Sequence, residues 1–232
     1  MLATFVVAHG GWGGGWAWKK MRPLMAARRH EIFTPTYTGL GERAHLAHRD
    51  IDLETHIEDI LAVLEFEDLR DVILVGHSYG GMVATGVADR VREKVRHLVY
   101  LDAFAPESGK STNDYYFSGD RREAFLRTVI DGWLVPPQPM PDDISPADAV
   151  WTARHRTPQP LQSIEQKFVL RNGPLTVPRT YIYCQRHSES DPFRQFLERA
   201  QKDGWATYEL DASHSPHITA PEALMDILET IA

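Results

Sequence analysis

Short apolar runs alternate with helical stretches along most of this 232-residue chain, and that alternation restricts the fold more than any other feature. The runs are rich in Val, Ile and Tyr and lack regular polar alternation, which is typical of strands buried on both faces of a parallel sheet. Residues 52–68 instead carry apolar side chains at helical spacing. We therefore predict an α/β protein with a mainly parallel six-stranded sheet flanked by helices. The predicted strands span residues 4–8, 31–35, 71–75, 95–101, 179–184 and 206–210.

The alternation stops between residues 106 and 178. Ten of the 15 prolines fall in this stretch, together with several aromatic residues that include Trp133 and Trp151. A structureless loop of that length is improbable inside a compact domain, and the aromatic content favours a packed segment over a loose surface excursion. We predict an inserted helical cap, or lid, at residues 106–178, above a core formed by residues 1–105 and 179–232.

Charge and cysteine content argue against several classes of function. The net charge of −7 disfavours a surface for nucleic acid or for an anionic membrane. The apolar run at the N-terminus is too short for a signal peptide or a membrane span, so a cytoplasmic location is expected. Cys184 is the only cysteine, which leaves no intramolecular disulfide and no cysteine-based zinc site. His214 and His217 lack a His-Glu-x-x-His motif, and no metal site is predicted.

The most specific motif is GHSYGG at residues 76–81, between a predicted strand and a helical stretch. Glycines on both sides of a serine permit the sharp strand-to-helix turn that exposes a nucleophile at the edge of a sheet. Ser78 is therefore predicted as the nucleophile, and the N–H of Tyr79 as a donor to the oxyanion that forms after attack. The alternative is a glycine-rich helix start that is capped by the serine.

A second glycine-rich segment, HGGW at residues 9–12, follows the first predicted strand. Acyl transfer needs a second main-chain donor for the oxyanion, and glycine lets the backbone approach closely. The N–H of Gly11 is predicted to be that donor, although the segment could also be a flexible loop. Gly10 and Trp12 are expected to line the substrate site, together with Trp133 and Trp151 from the cap.

The general base is expected late in the chain, after the last strand. His214 follows that strand directly and is favoured over His217, which is expected to pack nearby or to face the substrate. Three carboxylates could orient the base. Asp191 is the first choice, although an Asp before a proline also serves as an ordinary helix cap, and Glu189 and Asp102 are the alternatives.

Four segments carry a resemblance to a known family: HGGWGGGWAW, GHSYGG, YLDAFAP and SHSPHITAPEAL. They resemble the α/β-hydrolase superfamily, and are most similar to the branch of small plant methyl esterases, hydroxynitrile lyases and bacterial carboxylesterases. The resemblance spans the whole chain, but in the cap it rests on length and position alone. It implies an α/β-hydrolase fold with a helical lid, no metal and no organic cofactor, and often a homodimer.

The resemblance also implies roles for individual residues. It puts the nucleophile at Ser78, the oxyanion donors at Gly11 and Tyr79, and the base at His214. It implies that the acid follows the strand at residues 179–184, where the loop of this chain differs in length.

One departure from the family separates two reactions. Hydroxynitrile lyases of this branch carry Lys directly after the catalytic histidine and Thr in the oxyanion loop, where this chain has Ser215 and Gly11. We therefore predict a serine esterase that cleaves a small hydrophobic or aromatic ester through an acyl-enzyme. The alternatives are a ligand-binding receptor of the same fold, or hydrolysis of a carbon–carbon bond, a lactone or an amide, with lyase chemistry less favoured.

Overall fold

The main sheet has six parallel strands in the part of the chain that the computed structural model describes, residues 2–116, 120–140, 143–187 and 191–232. The strands of this sheet are β1 (Thr4–Ala8), β2 (Glu31–Phe33), β3 (Val72–His77), β4 (Val95–Leu101), β7 (Arg179–Arg186) and β8 (Ala206–Ser213), and the short strands β5 (Leu134–Val135) and β6 (Gln159–Pro160) form a separate pair. The spatial order of the main sheet is β2-β1-β3-β4-β7-β8. The predicted α/β fold with a mainly parallel six-stranded sheet is confirmed.

Helices cover both faces of this sheet. The helices of the described residues are α1 (Met21–Ala27), α2 (Leu53–Phe66), α3 (Gly80–Arg90), α4 (Thr112–Tyr116), α5 (Asp120–Leu126), α6 (Pro146–His155), α7 (Leu161–Glu165), α8 (Arg194–Lys202), α9 (Pro216–Thr219) and α10 (Pro221–Ile231), with 3-10 turns at Gly15–Trp18, Gly41–Leu46 and Arg92–Lys94. Of these, α2, α3 and α8 pack on one face of the sheet, and α1 and α10 on the other. Among the helices of the described residues, none is long and apolar enough to cross a bilayer.

Neighbouring residues of a central strand contribute to two different cores. In β1, Val6 packs in the core that holds the buried faces of α2, α3 and α8, whereas Phe5 and Val7 pack with α1 and α10 on the opposite face. All three side chains are buried, with at most 1% of their surface exposed. Because successive side chains of a strand point to opposite faces, a strand that is covered on both sides must be apolar throughout. This explains why the strands lack polar alternation.

The chain reverses its direction of travel across the sheet between β1 and β3. It begins at β1, moves outward to β2, and then crosses to β3 on the other side of β1. Ligands in open α/β sheets bind at the carboxyl ends of the strands at such a switch point, because the loops there diverge and leave a crevice. The two glycine motifs follow β1 and β3, so both lie at this crevice.

The segment predicted as an insertion, residues 106–178, contains more than helices. Its described residues form α4, α5, α6 and α7, but also the antiparallel pair of β5 and β6, which the sequence did not predict. Phe125, Val135 and Ile164 form a small apolar core there, and Trp12 packs against it. The insertion therefore packs directly on the loop that follows β1.

Candidate active site

Ser78 lies in a tight turn between β3 and α3, with a φ of 55°. A positive φ is uncommon for a residue other than glycine, and at a functional site it marks strain that the surrounding structure maintains. The turn is close to its neighbours: a Cβ on Gly80 would collide with the carbonyl oxygen of Ala8, and one on Gly81 with that of Phe104. Glycines at these two positions let α3 start against the sheet, which leaves the Ser78 hydroxyl at the carboxyl edge.

His214 connects Ser78 to Asp102 by hydrogen bonds. The Nε2 atom of His214 lies 2.9 Å from Oγ of Ser78, and its Nδ1 lies 2.7 Å from Oδ2 of Asp102. Since a carboxylate only accepts, Nδ1–H donates to Asp102 and Nε2 accepts from the serine hydroxyl. The ring of Phe193 stacks on the imidazole at 4.7 Å, and Nε2 of His77 donates to the main-chain oxygen of His214 at 2.7 Å. The imidazole is thus held with its basic nitrogen against the serine.

The carboxylate on His214 belongs to Asp102, the last of the three acids considered from the sequence. Asp102 follows β4, has a φ of 44° and is completely buried. Its Oδ1 accepts from the N–H of Cys184 at 3.1 Å and from Nε2 of His187 at 3.2 Å. Burial by itself would raise the pKa of the Asp102 carboxyl, but the hydrogen bonds from His187 and His214 outweigh it and hold that pKa below its usual range.

Asp191 does not occupy the position that the sequence favoured. Its Oδ1 accepts from the main-chain N–H groups of Phe193 and Arg194, at 2.9 and 3.1 Å, and its Oδ2 accepts from the hydroxyl of Tyr183. The expected contact with His214 is therefore wrong, because this carboxylate binds the backbone where α8 begins. Glu189, the second alternative, lies outside the residues that the structure describes.

Gly11 and Tyr79 present main-chain N–H groups close to Ser78. A Cβ on Gly11 would lie 3.8 Å from Cβ of Tyr79, so the loop after β1 adjoins the turn after β3. Within the described ranges, no protein acceptor takes a hydrogen bond from either N–H. The next residue, Trp12, has a φ of 59° and donates its N–H to Oε1 of Gln159 at 2.9 Å, which fixes the loop to the insertion. Two unpaired donors beside a serine can bind a developing oxyanion.

Gly10 shows why this loop needs a second glycine. A Cβ on Gly10 would lie 2.7 Å from Nδ1 of His77 and 3.2 Å from Cβ of Ser78. Any larger residue would push the loop away from the serine.

A cavity of about 160 Å³ opens on Ser78 and His214, and Gly10, Gly11 and Trp12 line it. A cavity of roughly this size can hold a benzene ring. Seven of the described residues that line it are Trp, Phe or Tyr: Trp12, Trp16, Trp18, Tyr79, Phe104, Tyr116 and Phe125.

Trp133 and Trp151 are absent from this wall, so their expected role is wrong. Trp151 packs edge to face on Trp16 at 5.1 Å and so lies behind the wall. Trp133 lies directly before β5, where its carbonyl accepts from the N–H of Leu161 at 2.8 Å. Composition of the insertion alone could not distinguish a lining tryptophan from one that packs behind it. Trp16 and Trp18 had a signal in the sequence, since they belong to the HGGWGGGWAW segment.

Three further histidines of the cavity wall are neutral. Burial lowers the pKa of His9 to about 4 and of His77 to about 3, and lowers that of His217 well below its usual value. His217 stacks on Trp18 at 4.7 Å with nearly parallel rings, so it packs in the wall. In the described part of the chain, no group of three or more His, Cys, Asp or Glu side chains is arranged to hold a metal ion.

Comparisons with known proteins agree with this architecture. The model of the alpha/beta hydrolase family matches residues 5–227. A carbendazim hydrolyzing esterase from Nocardioides sp. (strain SG-4G) is 38% identical over 99% of this chain and 100% of its own. Methylesterase 8 of Arabidopsis thaliana is 24% identical over 100% of this chain and 90% of its own. Among solved structures, an extracellular alpha/beta-hydrolase from a Paenibacillus species superposes with a TM-score of 0.86 at 23% identity, covering 98% of both chains.

Proposed function

Since this chain belongs to the alpha/beta hydrolase family and is a carboxylic-ester hydrolase, we propose that it is a serine esterase with Ser78, His214 and Asp102 as its triad. The observation that carries the proposal is the continuous hydrogen-bond chain from Oγ of Ser78 through His214 to Asp102, with distances of 2.9 and 2.7 Å. A nucleophile, a base and a group that orients the base are the parts that acyl transfer requires.

Acylation begins when Oγ of Ser78 attacks the carbonyl carbon of the ester and its proton moves to Nε2 of His214. The electron pair of the carbonyl moves to its oxygen, and the N–H groups of Gly11 and Tyr79 bind the resulting anion. Asp102 stays ionised and stabilises the imidazolium. The intermediate then collapses: the bond to the alcohol oxygen breaks, His214 returns the proton to that oxygen, and the acyl group remains on Ser78.

Deacylation repeats these steps with water. Water gives a proton to His214 as its oxygen attacks the acyl carbon, and the oxyanion forms in the same place. Collapse breaks the bond to Oγ, which regains the proton, and a carboxylic acid leaves. Each oxyanion donor contributes about 10²–10³-fold in kcat in enzymes of this type.

The substrate is a small ester with an apolar or aromatic part. Support comes from the cavity, whose size suits a single ring and whose described wall includes three tryptophans, two phenylalanines and two tyrosines. We propose that the insertion acts as the lid, since its helices and loops supply one side of that wall. Carbendazim, which the Nocardioides relative is named for hydrolysing, is a candidate substrate to assay.

Labelling with a fluorophosphonate tests the nucleophile. We expect one covalent adduct on Ser78, found by mass spectrometry of peptides, no adduct in Ser78→Ala, and full labelling of Ser145→Ala, a serine that caps α6 away from the cavity. An unlabelled folded wild type, or equal labelling of Ser78→Ala, would mean that Ser78 is not the nucleophile and would favour a ligand-binding receptor. A series of 4-nitrophenyl esters from acetate to octanoate, with methyl benzoate and carbendazim, then defines the acyl group. Activity confined to the longest chains would contradict a small substrate.

A further inference from the structure

The cavity wall carries one arginine, Arg156, which follows the last turn of α6. Its guanidinium lies over the ring of Trp12, 5.5 Å from the ring centroid, and donates one hydrogen bond, to the carbonyl oxygen of Gln138. The next residue, Thr157, donates its N–H to the carbonyl oxygen of Trp12 at 3.2 Å. Arg156 is therefore fixed beside the loop that carries the oxyanion donor Gly11.

Arg156 has no carboxylate partner among the described residues. Arg90 and Arg92, which are also partly buried, are paired with carboxylates: Arg90 contacts Glu54 and Glu58, and Arg92 contacts Asp89. Arg179 resembles Arg156, because it lies over the ring of Trp205 and has no ion pair among the described residues, but it does not line the cavity. Burial lowers the pKa of Arg156 to about 10, because no nearby anion offsets the loss of water. A guanidinium has five N–H donors, so most of its hydrogen-bonding capacity is unused.

The rest of the wall provides no charge to match this cation. None of the described residues that line the cavity is Asp or Glu. His9, His77 and His217 line it too, and their lowered pKa values keep them neutral at pH 7. Along the described wall, Arg156 is thus the only permanently charged side chain.

From this we infer that the substrate is an ester that also carries a carboxylate, and that Arg156 binds the carboxylate while Ser78 attacks the ester. The inference rests on the proposed esterase function and names its substrate class. A planar guanidinium matches a carboxylate with two parallel hydrogen bonds, and a partly desolvated cation gains more from such a partner than an exposed one does. Trp12 holds one face of the guanidinium and leaves its edge for the ligand.

Two esters of equal length isolate the charge. Mono-4-nitrophenyl adipate ends in a carboxylate where 4-nitrophenyl hexanoate ends in a methyl group, and kcat/KM is measured for both after spontaneous hydrolysis is subtracted. We expect the ratio of adipate to hexanoate to fall about 10- to 100-fold in Arg156→Met, as for the loss of one charged hydrogen-bonded pair. Arg156→Lys should keep part of the wild-type preference for the adipate ester. Arg154→Met, which removes an exposed charge from the same helix, should keep all of it.

The ratio is taken within each variant, so a loss of folded protein cancels. An unchanged ratio in Arg156→Met would overturn the inference and leave Arg156 as a link between the insertion and Trp12. Binding is measured separately in Ser78→Ala, by calorimetry with monomethyl adipate. One outcome separates the two proposals: the wild type hydrolyses neither ester, yet Ser78→Ala binds monomethyl adipate more tightly than the double variant with Arg156→Met does. In that case the esterase proposal fails, but the proposed carboxylate site at Arg156 stands. Equal binding by the two proteins would overturn the binding site itself.

Discussion

Asp102 and His214 are 112 residues apart in the chain, yet Oδ2 of Asp102 lies 2.7 Å from Nδ1 of His214. Asp102 follows β4 and His214 follows β8, and β7 lies between these two strands in the sheet. The positive φ of Asp102 turns the chain at the end of β4, and its carboxylate then accepts from the N–H of Cys184 in β7. The carboxylate that binds His214 therefore comes from the end of the strand beside β3, and not from the loop after β7.

Asp102→Asn should nearly abolish turnover while leaving the fold intact. The amide keeps the shape of the side chain but cannot accept and stabilise charge as the carboxylate does, and in Ser-His-Asp enzymes this change costs about 10⁴-fold in kcat. Steady-state kinetics on a 4-nitrophenyl ester measures it. The matched control is Asp191→Asn, which keeps an oxygen for the backbone at the start of α8 and should stay within a few fold of wild type. A large loss in Asp191→Asn beside a mild effect in Asp102→Asn would reverse the assignment.

The sequence predicted those parts of the site that depend on local chemistry. The strands followed from apolar runs, Ser78 from its glycine neighbours, and His214 from its place after the last strand. Asp102 could not be selected in the same way, because its contact with His214 depends on how three strands lie side by side. The Asp-Pro pair at residues 191–192 offered a stronger local signal, and that signal belonged to a helix start.

The start of the last helix shows the same limit. Thr219 and Glu222 match the spacing of a capping box, yet α10 begins at Pro221 without a side-chain cap. Thr219 is instead the last residue of the preceding turn, α9, and its hydroxyl donates to the carbonyl oxygen of Ser215, which directly precedes α9. The pattern did not predict the short helix α9. Because Thr219 belongs to α9, it does not cap α10.

His187→Gln should change the pH dependence of activity more than its maximum. Burial lowers the pKa of His187, but its hydrogen bond to Asp102 and the charges of Asp102 and Asp191 outweigh burial and Arg194, so the pKa lies above its ordinary value. As the pH falls through that pKa, His187 becomes positive and competes for the carboxylate that stabilises the His214 imidazolium. Glutamine keeps an N–H for Asp102 but does not titrate. On the acid side of the pH profile, kcat/KM of the variant should therefore fall with one protonation fewer than in the wild type.

His187→Leu separates this effect from simple support of the fold. Leucine removes the donor to Oδ1 of Asp102, and we expect kcat to fall several fold at every pH, with rescue in the glutamine variant. A pH profile of His187→Gln that overlays the wild type would rule out the competition.

Gly81→Ala should destabilise the fold by about 1–3 kcal/mol or more, since its Cβ would collide with the main-chain oxygen of Phe104, which cannot rotate away. Urea unfolding followed by circular dichroism measures the loss. Gly204→Ala is the comparison: its φ is 71° but no atom lies within 4 Å of the added carbon, so it should cost only the backbone strain, about 1–2 kcal/mol. Equal losses in the two variants would mean that the turn after Ser78 relaxes around a side chain.

Stability should fall steeply between pH 6.5 and pH 4. Burial lowers the pKa of His9 and of His56 to about 4 and that of His77 to about 3, whereas an unfolded chain protonates histidine near 6.5. Between these values the unfolded state binds more protons than the folded state, so the free energy of unfolding decreases as the pH falls, by about 1.4 kcal/mol per pH unit for each such histidine. The contribution is complete above pH 6.5 and is lost as the pH approaches 4.

His56 offers the sharpest test of this pH dependence because it lies outside the hydrogen-bond chain of the triad. Its Nδ1 accepts from the hydroxyl of Tyr79 at 2.8 Å, and its Nε2 donates to the carbonyl oxygen of Thr38 at 3.2 Å. In His56→Gln, the slope of unfolding free energy against pH from urea titrations at pH 5–6 should decrease by about 1 kcal/mol per unit, whatever the stability at pH 8. His48→Gln, which changes an exposed histidine, should keep the wild-type slope. A slope that His56→Gln leaves unchanged would show that this buried imidazole does not resist protonation, because only a proton taken up on unfolding can produce the difference.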